Sequence, residues 1–174
     1  MEKSRYLIGI DLGTTNCSLS YVDTLEAVST VHVFPLKQWE SSSSTLSRNE
    51  LPSFCYLPTK QEIKAQDFKL SSNYFDAQTT PYILGRYARE LRHSRCERVA
   101  YSAKSWLCHG GVDREAKILP WHSDEIIGNK RYSPVELSSF LLRHLKEIWN
   151  EQQASCEESY RLENQNLTIT VPAS

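Results

Sequence analysis

IGIDLGTTNCS, residues 8–18, is the stretch on which the reading of this chain turns. Across residues 6–12, Ile8, Ile10 and Leu12 share one face while Leu7, Gly9 and Asp11 share the other, the period of a strand with one buried side. Gly13, Thr14, Thr15 and Asn16 interrupt that alternation as a turn. Residues 17–22 then alternate again, with Cys17, Leu19 and Tyr21 opposite Ser18 and Ser20, and the two runs read as a hairpin. Asp11 therefore stands at the end of a strand, beside a turn rich in backbone donors and hydroxyls.

Two kinds of chemistry fit that turn. Successive N–H groups of Gly13, Thr14 and Thr15, with two threonine hydroxyls, can point into one concavity and hold phosphate oxygens. Gly13 would let the backbone approach without a Cβ in the way, and the Asp11 carboxylate could hold a hydrated Mg²⁺ that neutralises the phosphates. The same residues also make an ordinary tight hairpin, with Asp11 capping local amides and Gly13 supplying a positive φ. Spacing alone leaves both open. No Walker A, GxGxxG or HExxH pattern occurs, and the histidines at 32, 93, 109, 122 and 144 have no serine or cysteine partner at an interpretable spacing, so nothing supports nucleophilic catalysis.

Beyond the hairpin, residues 30–34 predict a third strand, WESSSSTLSRNE (39–50) a mobile serine-rich loop, and LPSFCYLP (51–58) a short strand bracketed by Pro52 and Pro58. Residues 59–81 show no clear period. YILGRYAREL (82–91) predicts a strand stub, Gly85 and a short helix with Tyr87, Ala88 and Leu91 on one side. In ERVAYSAKSWL (97–107), Val99, Ala103 and Trp106 fall at i, i+4 and i+7 and predict a second helix. Residues 108–130 read as turns and short strands. The clearest helix begins at Ser133, where SPVE supplies an N-cap serine, a proline at the first helical position and Glu136 to close a capping box; Leu137, Leu141, Leu145 and Ile148 follow on one face. A polar, frayed stretch over 151–166 leads to a final strand in LTITVPAS (167–174).

The 174 residues carry 20 Lys+Arg against 21 Asp+Glu, a net charge of −1 that removes the electrostatic case for nucleic acid. No run approaches the roughly 20 apolar residues of a membrane helix, and no secretory signal is visible. Five cysteines without a CxxC or a signal fit a reduced, cytoplasmic setting and give no four-ligand metal framework. A closing β-branched run, which a strand buried between neighbours would supply, predicts that Ser174 marks a cut through a larger protein. The order of elements predicts an α/β class, with a half-domain interrupted by a subdomain of mixed structure.

Taken in order, IGIDLGTTNCS, LPSFCYLP, LGRYAREL, YSAKSWL, YSPVEL and LTITVPA resemble the N-terminal part of the ATPase domain of the seventy-kilodalton heat-shock chaperones, the DnaK-like family. The first block is shared more loosely with actin and hexokinase relatives; the ordered series is more specific, and it spans almost the whole chain. The resemblance implies an actin-like ATPase (ribonuclease H-like) half-lobe with residues 1–38 and 130–174 in the first α/β subdomain and residues 39–129, carrying Lys104, inserted. It implies ATP/ADP and Mg²⁺ as ligands, with Gly13, Thr14, Thr15 and Asn16 as the first phosphate loop and Asp11 near the metal and its waters. Lys104 would reach the γ-phosphate and orient the attacking water, although its spacing alone suits a solvated lysine on an amphipathic helix. Pro172 matches a proline that the family uses in communication between domains. Arg86 and Arg89 read as structural ion-pair formers. Client peptides and co-chaperones would bind parts outside this chain, in a protein of stress response and protein folding, and this portion alone would be inactive. The looser first block also admits an actin-like polymerising ATPase or a sugar or acid kinase.

Overall fold

The computed structural model of the chain describes residues 4–65, 82–121 and 131–170. These residues form a mixed α/β structure with three sheets. Strand β1 (Tyr6–Leu12) and β2 (Asn16–Asp23) form the expected antiparallel hairpin, with Leu12 opposite Cys17 and Tyr6 opposite Asp23. Tyr6, Ile8, Ile10 and Leu12 are buried while Leu7 and Asp11 are exposed, so the alternation read from the sequence is the alternation of burial. β3 (His32–Val33) extends the sheet beyond β2 and is shorter than the residue 30–34 strand expected.

The serine-rich stretch is not a mobile loop. Leu36–Trp39 (β4) pairs with Thr45–Arg48 (β5), and the serines close the turn: the Ser41 and Ser44 hydroxyls lie 2.6 Å apart and the Glu40 N–H donates to the Ser44 carbonyl. Serine favours this geometry because its hydroxyl substitutes for a backbone partner. The next stretch is two strands instead of one. β6 (Leu51–Pro52) pairs with the start of β2, whereas β7 (Phe54–Tyr56) is the centre of a second antiparallel sheet, flanked by β8 (Ile83–Leu84) and β9 (Val99–Tyr101). Ser53 is the crossover between the sheets.

β9 also corrects the helix predicted over 97–107. Val99, Ala103 and Trp106 match a helical period, but Val99 and Ala100 are buried in pairing with Tyr56 and Cys55, and the span holds a 3₁₀ turn at Cys96–Arg98 and an α-helix only over Ala103–Leu107 (α3). The β-branched and aromatic residues of VAY favour a strand once a partner edge is present. Before it, Lys60–Ala65 (α1) is a helix that the poor periodicity concealed; the Thr59 hydroxyl accepts from the Glu62 N–H and the Glu62 carboxylate accepts from the Thr59 N–H, a capping box spelled TKQE. Residues 66–81 lie outside the described residues, as do 122–130; in the rest of the predicted turn region, Leu119 makes a bridge to Tyr132. Gly85, with φ of 86°, leads into α2 (Arg86–Leu91) as expected, with Ala88 buried.

Helix α4 (Pro134–Gln153) has the predicted capping box, the Ser133 hydroxyl accepting from the Glu136 N–H and the Glu136 carboxylate from the Ser133 N–H. Its apolar face packs on the large sheet. Trp149 is fully buried, with its ring 5.2 Å from Tyr6, 5.4 Å from Tyr21 and 5.0 Å from Phe34, edge-on and tilted arrangements that suit the ring quadrupoles. The main core runs without interruption from β1 and β2 through Leu36, Leu51, Leu84 and Ala103 to α4. A smaller cluster of Phe54, Tyr56, Ile83, Ala88 and Val99 fills the other side of the second sheet.

The stretch after α4 is tied down where fraying was expected. Two short 3₁₀ turns, Glu158–Tyr160 and Leu162–Asn164, fold back on the helix, with the Trp149 indole donating to the Tyr160 carbonyl and the Leu162 N–H donating to the Asn150 side chain. Gln165, buried, donates to the Ser159 and Arg161 carbonyls and accepts from the Tyr6 N–H. That register delivers β10 (Asn166–Thr170) parallel to β1. β10 is exposed along its length and, among the described residues, pairs with β1 alone, so it is an edge strand here and not the buried one expected. No helix among the described residues is long and apolar enough to cross a membrane.

His144 lies on the buried face of α4, where burial pushes its pKa down to about 4 from 6.5, opposed by a hydrogen bond to the Lys37 backbone. A base depressed on folding contributes stability that is complete above its unfolded pKa and is lost as pH falls toward the folded one. Between pH 7.5 and 5 this group should cost about 2 kcal/mol of folding stability. Urea unfolding of the native chain and of His144→Gln at both pH values measures it: the variant's loss should be smaller by that amount, and parallel losses would contradict the assignment.

Candidate phosphate-binding site

The turn between β1 and β2 is closed by contacts that only glycine permits. A Cβ on Gly13 would overlap the Asn16 carbonyl oxygen, a clash that no side chain survives. Among the described residues Gly85 is the one glycine with positive φ, so Gly13 serves close approach and not a left-handed turn. The tight hairpin and the phosphate nest thus part company on this residue. The approach that matters for folding is the chain's own carbonyl.

Ser53 fixes the turn from outside. Its N–H donates to the Thr15 carbonyl at 2.8 Å and its hydroxyl donates to the Gly13 carbonyl at 2.8 Å, while the Cys17 thiol lies 3.3 Å from the same hydroxyl. With the carbonyls of Gly13 and Thr15 engaged inward, Thr14 and Thr15 remain exposed, and neither their N–H groups nor their hydroxyls have a partner among the described residues. Exposed, unengaged donors on a backbone held rigid are what an anion-binding nest needs. Burial pushes the Cys17 thiol upward, so it stays protonated behind the turn.

Asp11 does not cap the turn's amides. Its Oδ1 accepts from the Thr170 hydroxyl at 2.6 Å and lies 3.9 Å from Lys104 Nζ. Lys104 is distant in sequence and comes here by a defined route: β7 pairs with β9, and Ser102 follows β9 with φ of 57° before α3 begins. A left-handed serine is a costly conformation that persists where the surroundings impose it; it redirects the chain between strand and helix and aims Lys104 at the end of β1. The lysine side chain is 15% exposed against 56% for Asp11, so Lys104 is not the solvated lysine that spacing alone allows. Asp11, the Gly13–Thr15 turn and Lys104 are thereby brought to one end of the hairpin, and Asn16 begins β2 opposite Pro52. Pro172 lies outside the described residues.

Among the described residues Asp11 is the one carboxylate in contact with this group, and no cluster of three or more His, Cys, Asp or Glu there could hold a metal by itself. A single carboxylate suits a cation such as Mg²⁺ that keeps most of its waters and shares phosphate oxygens. The sequence reading missed Ser53, Ser102 and Thr170. A small polar residue between the apolar pairs of LP and FCY was the available sign for Ser53; nothing local marked the other two. Compared with known proteins, the chain matches no family model and no curated sequence.

Ser53→Ala removes the hydroxyl bond to Gly13 and leaves its carbonyl less well satisfied, which should lower stability by about 1–2 kcal/mol. Gly13→Ala forces the turn open against a backbone atom and should cost about 1–3 kcal/mol. Urea midpoints at unchanged m-value give both numbers; losses below about 0.5 kcal/mol would mean that the turn is not held as described.

Proposed function

We propose that the chain forms one wall of the nucleotide cleft of a divergent DnaK-like chaperone ATPase, with the actin-like fold of that family. The observation that carries the proposal is the convergence of a rigid turn with free donors, an exposed carboxylate and a largely enclosed lysine at one end of a hairpin. The ordered blocks of sequence resembling that family support the same reading. ATP or ADP with Mg²⁺ is the ligand, and client peptides and co-chaperones engage portions of the protein beyond this chain, in the cytoplasm.

The residues divide the work by their chemistry. Thr14 and Thr15 offer N–H and hydroxyl donors to phosphate oxygens, and Ser53 holds their backbone in place before ligand arrives. Asp11 orients water around a bound Mg²⁺, whose charge offsets that of the phosphates. Lys104 rests near Asp11 at 3.9 Å, a distance longer than a hydrogen bond, so no short bond has to be broken to release it. Its ammonium can therefore exchange a loose partner for a γ-phosphate at little cost, and it acts where negative charge develops during transfer. Phosphoryl transfer depends chiefly on positioning and charge stabilisation.

The test is Lys104→Ala in the full-length protein. ATP affinity should stay within about threefold while turnover without any small-molecule acceptor falls about 10²-fold or more. Unchanged turnover would overturn the role of Lys104, and turnover that requires a sugar or acid acceptor would move the protein from chaperone ATPase to kinase.

A further inference from the structure

Arg86 and Arg89 were expected to be structural ion-pair formers, and no described residue supplies the partner. Among the described residues neither guanidinium forms a salt bridge or hydrogen bond, yet both line a cavity of about 170 Å³ together with Arg48. Arg48 reaches Glu40 only at 4.0 Å, with both side chains about half exposed, a pair that contributes little. Glu50 also lines the cavity but lies within salt-bridge distance of none of the three arginines.

The wall that carries Arg86 and Arg89 is built to hold them there. Gly85 adopts φ of 86°, and a Cβ on it would sit 2.6 Å from Leu51 Cδ1 and 2.7 Å from Gln38 Oε1. Gln38 is buried; its Oε1 accepts from the Arg86 N–H and its Nε2 donates to the Glu50 carbonyl. One buried amide therefore ties the start of α2 to Glu50, in the link between β5 and β6, and the two arginines, three residues apart on α2, project from one side. Arg48 comes from β5 on another side, and Asn16, whose side-chain amide has no partner among the described residues, completes the rim.

We infer that this cavity is a binding site for a phosphate-class oxyanion, separate from the turn at Gly13–Thr15. Three guanidiniums against one carboxylate leave a surplus of two positive charges, matching a phosphate monoester at about −1.5 to −2. Guanidiniums arriving from two elements suit a tetrahedral anion, whose oxygens point in several directions, better than a planar carboxylate. Neither Asp11 nor Lys104 lines the cavity, so the site does not depend on how the turn is used. The phosphate could be free or belong to a small molecule; the chemistry recognised is the same.

Titrating ¹⁵N-labelled chain with inorganic phosphate, at ionic strength held constant with chloride, tests the site through the arginine Nε–H signals. The side-chain signals of Arg48, Arg86 and Arg89 should shift saturably, the Arg48 shift should vanish in Arg86→Gln/Arg89→Gln, and Glu50→Gln should bind phosphate several-fold more tightly because a competing negative charge is gone. A glucose phosphate that shifts the same signals more strongly than inorganic phosphate would identify a small-molecule ester as the source, and a weaker effect would identify the free anion. No saturable shift, equal shifts with chloride alone, shifts confined to the Thr14 and Thr15 amides, or an unchanged response in Glu50→Gln would overturn it.

Discussion

Two hydrogen bonds from one serine organise this protein. Ser53 stands where the chain leaves the large sheet for the small one, and its N–H and hydroxyl hold the carbonyls of Thr15 and Gly13. The same residue lies between β6, which pairs with β2 beside the turn, and β7, which pairs with β9 on the way to Lys104. Turn and lysine thus share an origin. Moving the crossover would move both, which is why a site assembled from distant segments can be rigid without a dense network of side-chain bonds.

The remainder of the structure supplies the frame against which that crossover is fixed. Trp149 and its aromatic neighbours seat α4 on the buried face of β1 and β2, and Gln165 sets the strand that brings Thr170 to Asp11. These contacts are packing contacts, yet their consequence reaches the candidate site: the Asp11 carboxylate is oriented by the Thr170 hydroxyl. A chain with a net charge of −1 gains little from overall attraction to polyanions, so the proposed affinity for phosphate rests on local donors. Preorganised N–H groups and a few well-placed cations meet that requirement.

What could be read from the residues was what depends on near neighbours. The β1–β2 hairpin follows from alternation and a turn, and α4 from Ser133, Pro134 and Glu136 with its apolar stripe. Val99–Tyr101 was misread because a helical period was the only local signal, whereas the strand is created by an edge formed some forty positions earlier. The serine-rich stretch has a polar composition in either state, and only the pairing of Leu36 with Arg48 distinguishes hairpin from loop. Residues 151–166 read as frayed because their anchors, Tyr6, Trp149 and Asn150, are supplied by other elements. In the site, Asp11 and the turn were legible from spacing, and Lys104 from a resemblance; Ser53, Ser102 and Thr170 act through contacts that no local pattern encodes.

The most direct test of the account is a crystal structure of the full-length protein with Mg²⁺ and a non-hydrolysable ATP analogue. The account predicts phosphate oxygens within hydrogen-bond distance of the Thr14 and Thr15 N–H groups, Lys104 Nζ turned from Asp11 toward the terminal phosphate, and the Ser53 bonds to Gly13 and Thr15 intact. A nucleotide bound elsewhere, with Thr14 and Thr15 still facing solvent and Lys104 still beside Asp11, would contradict it.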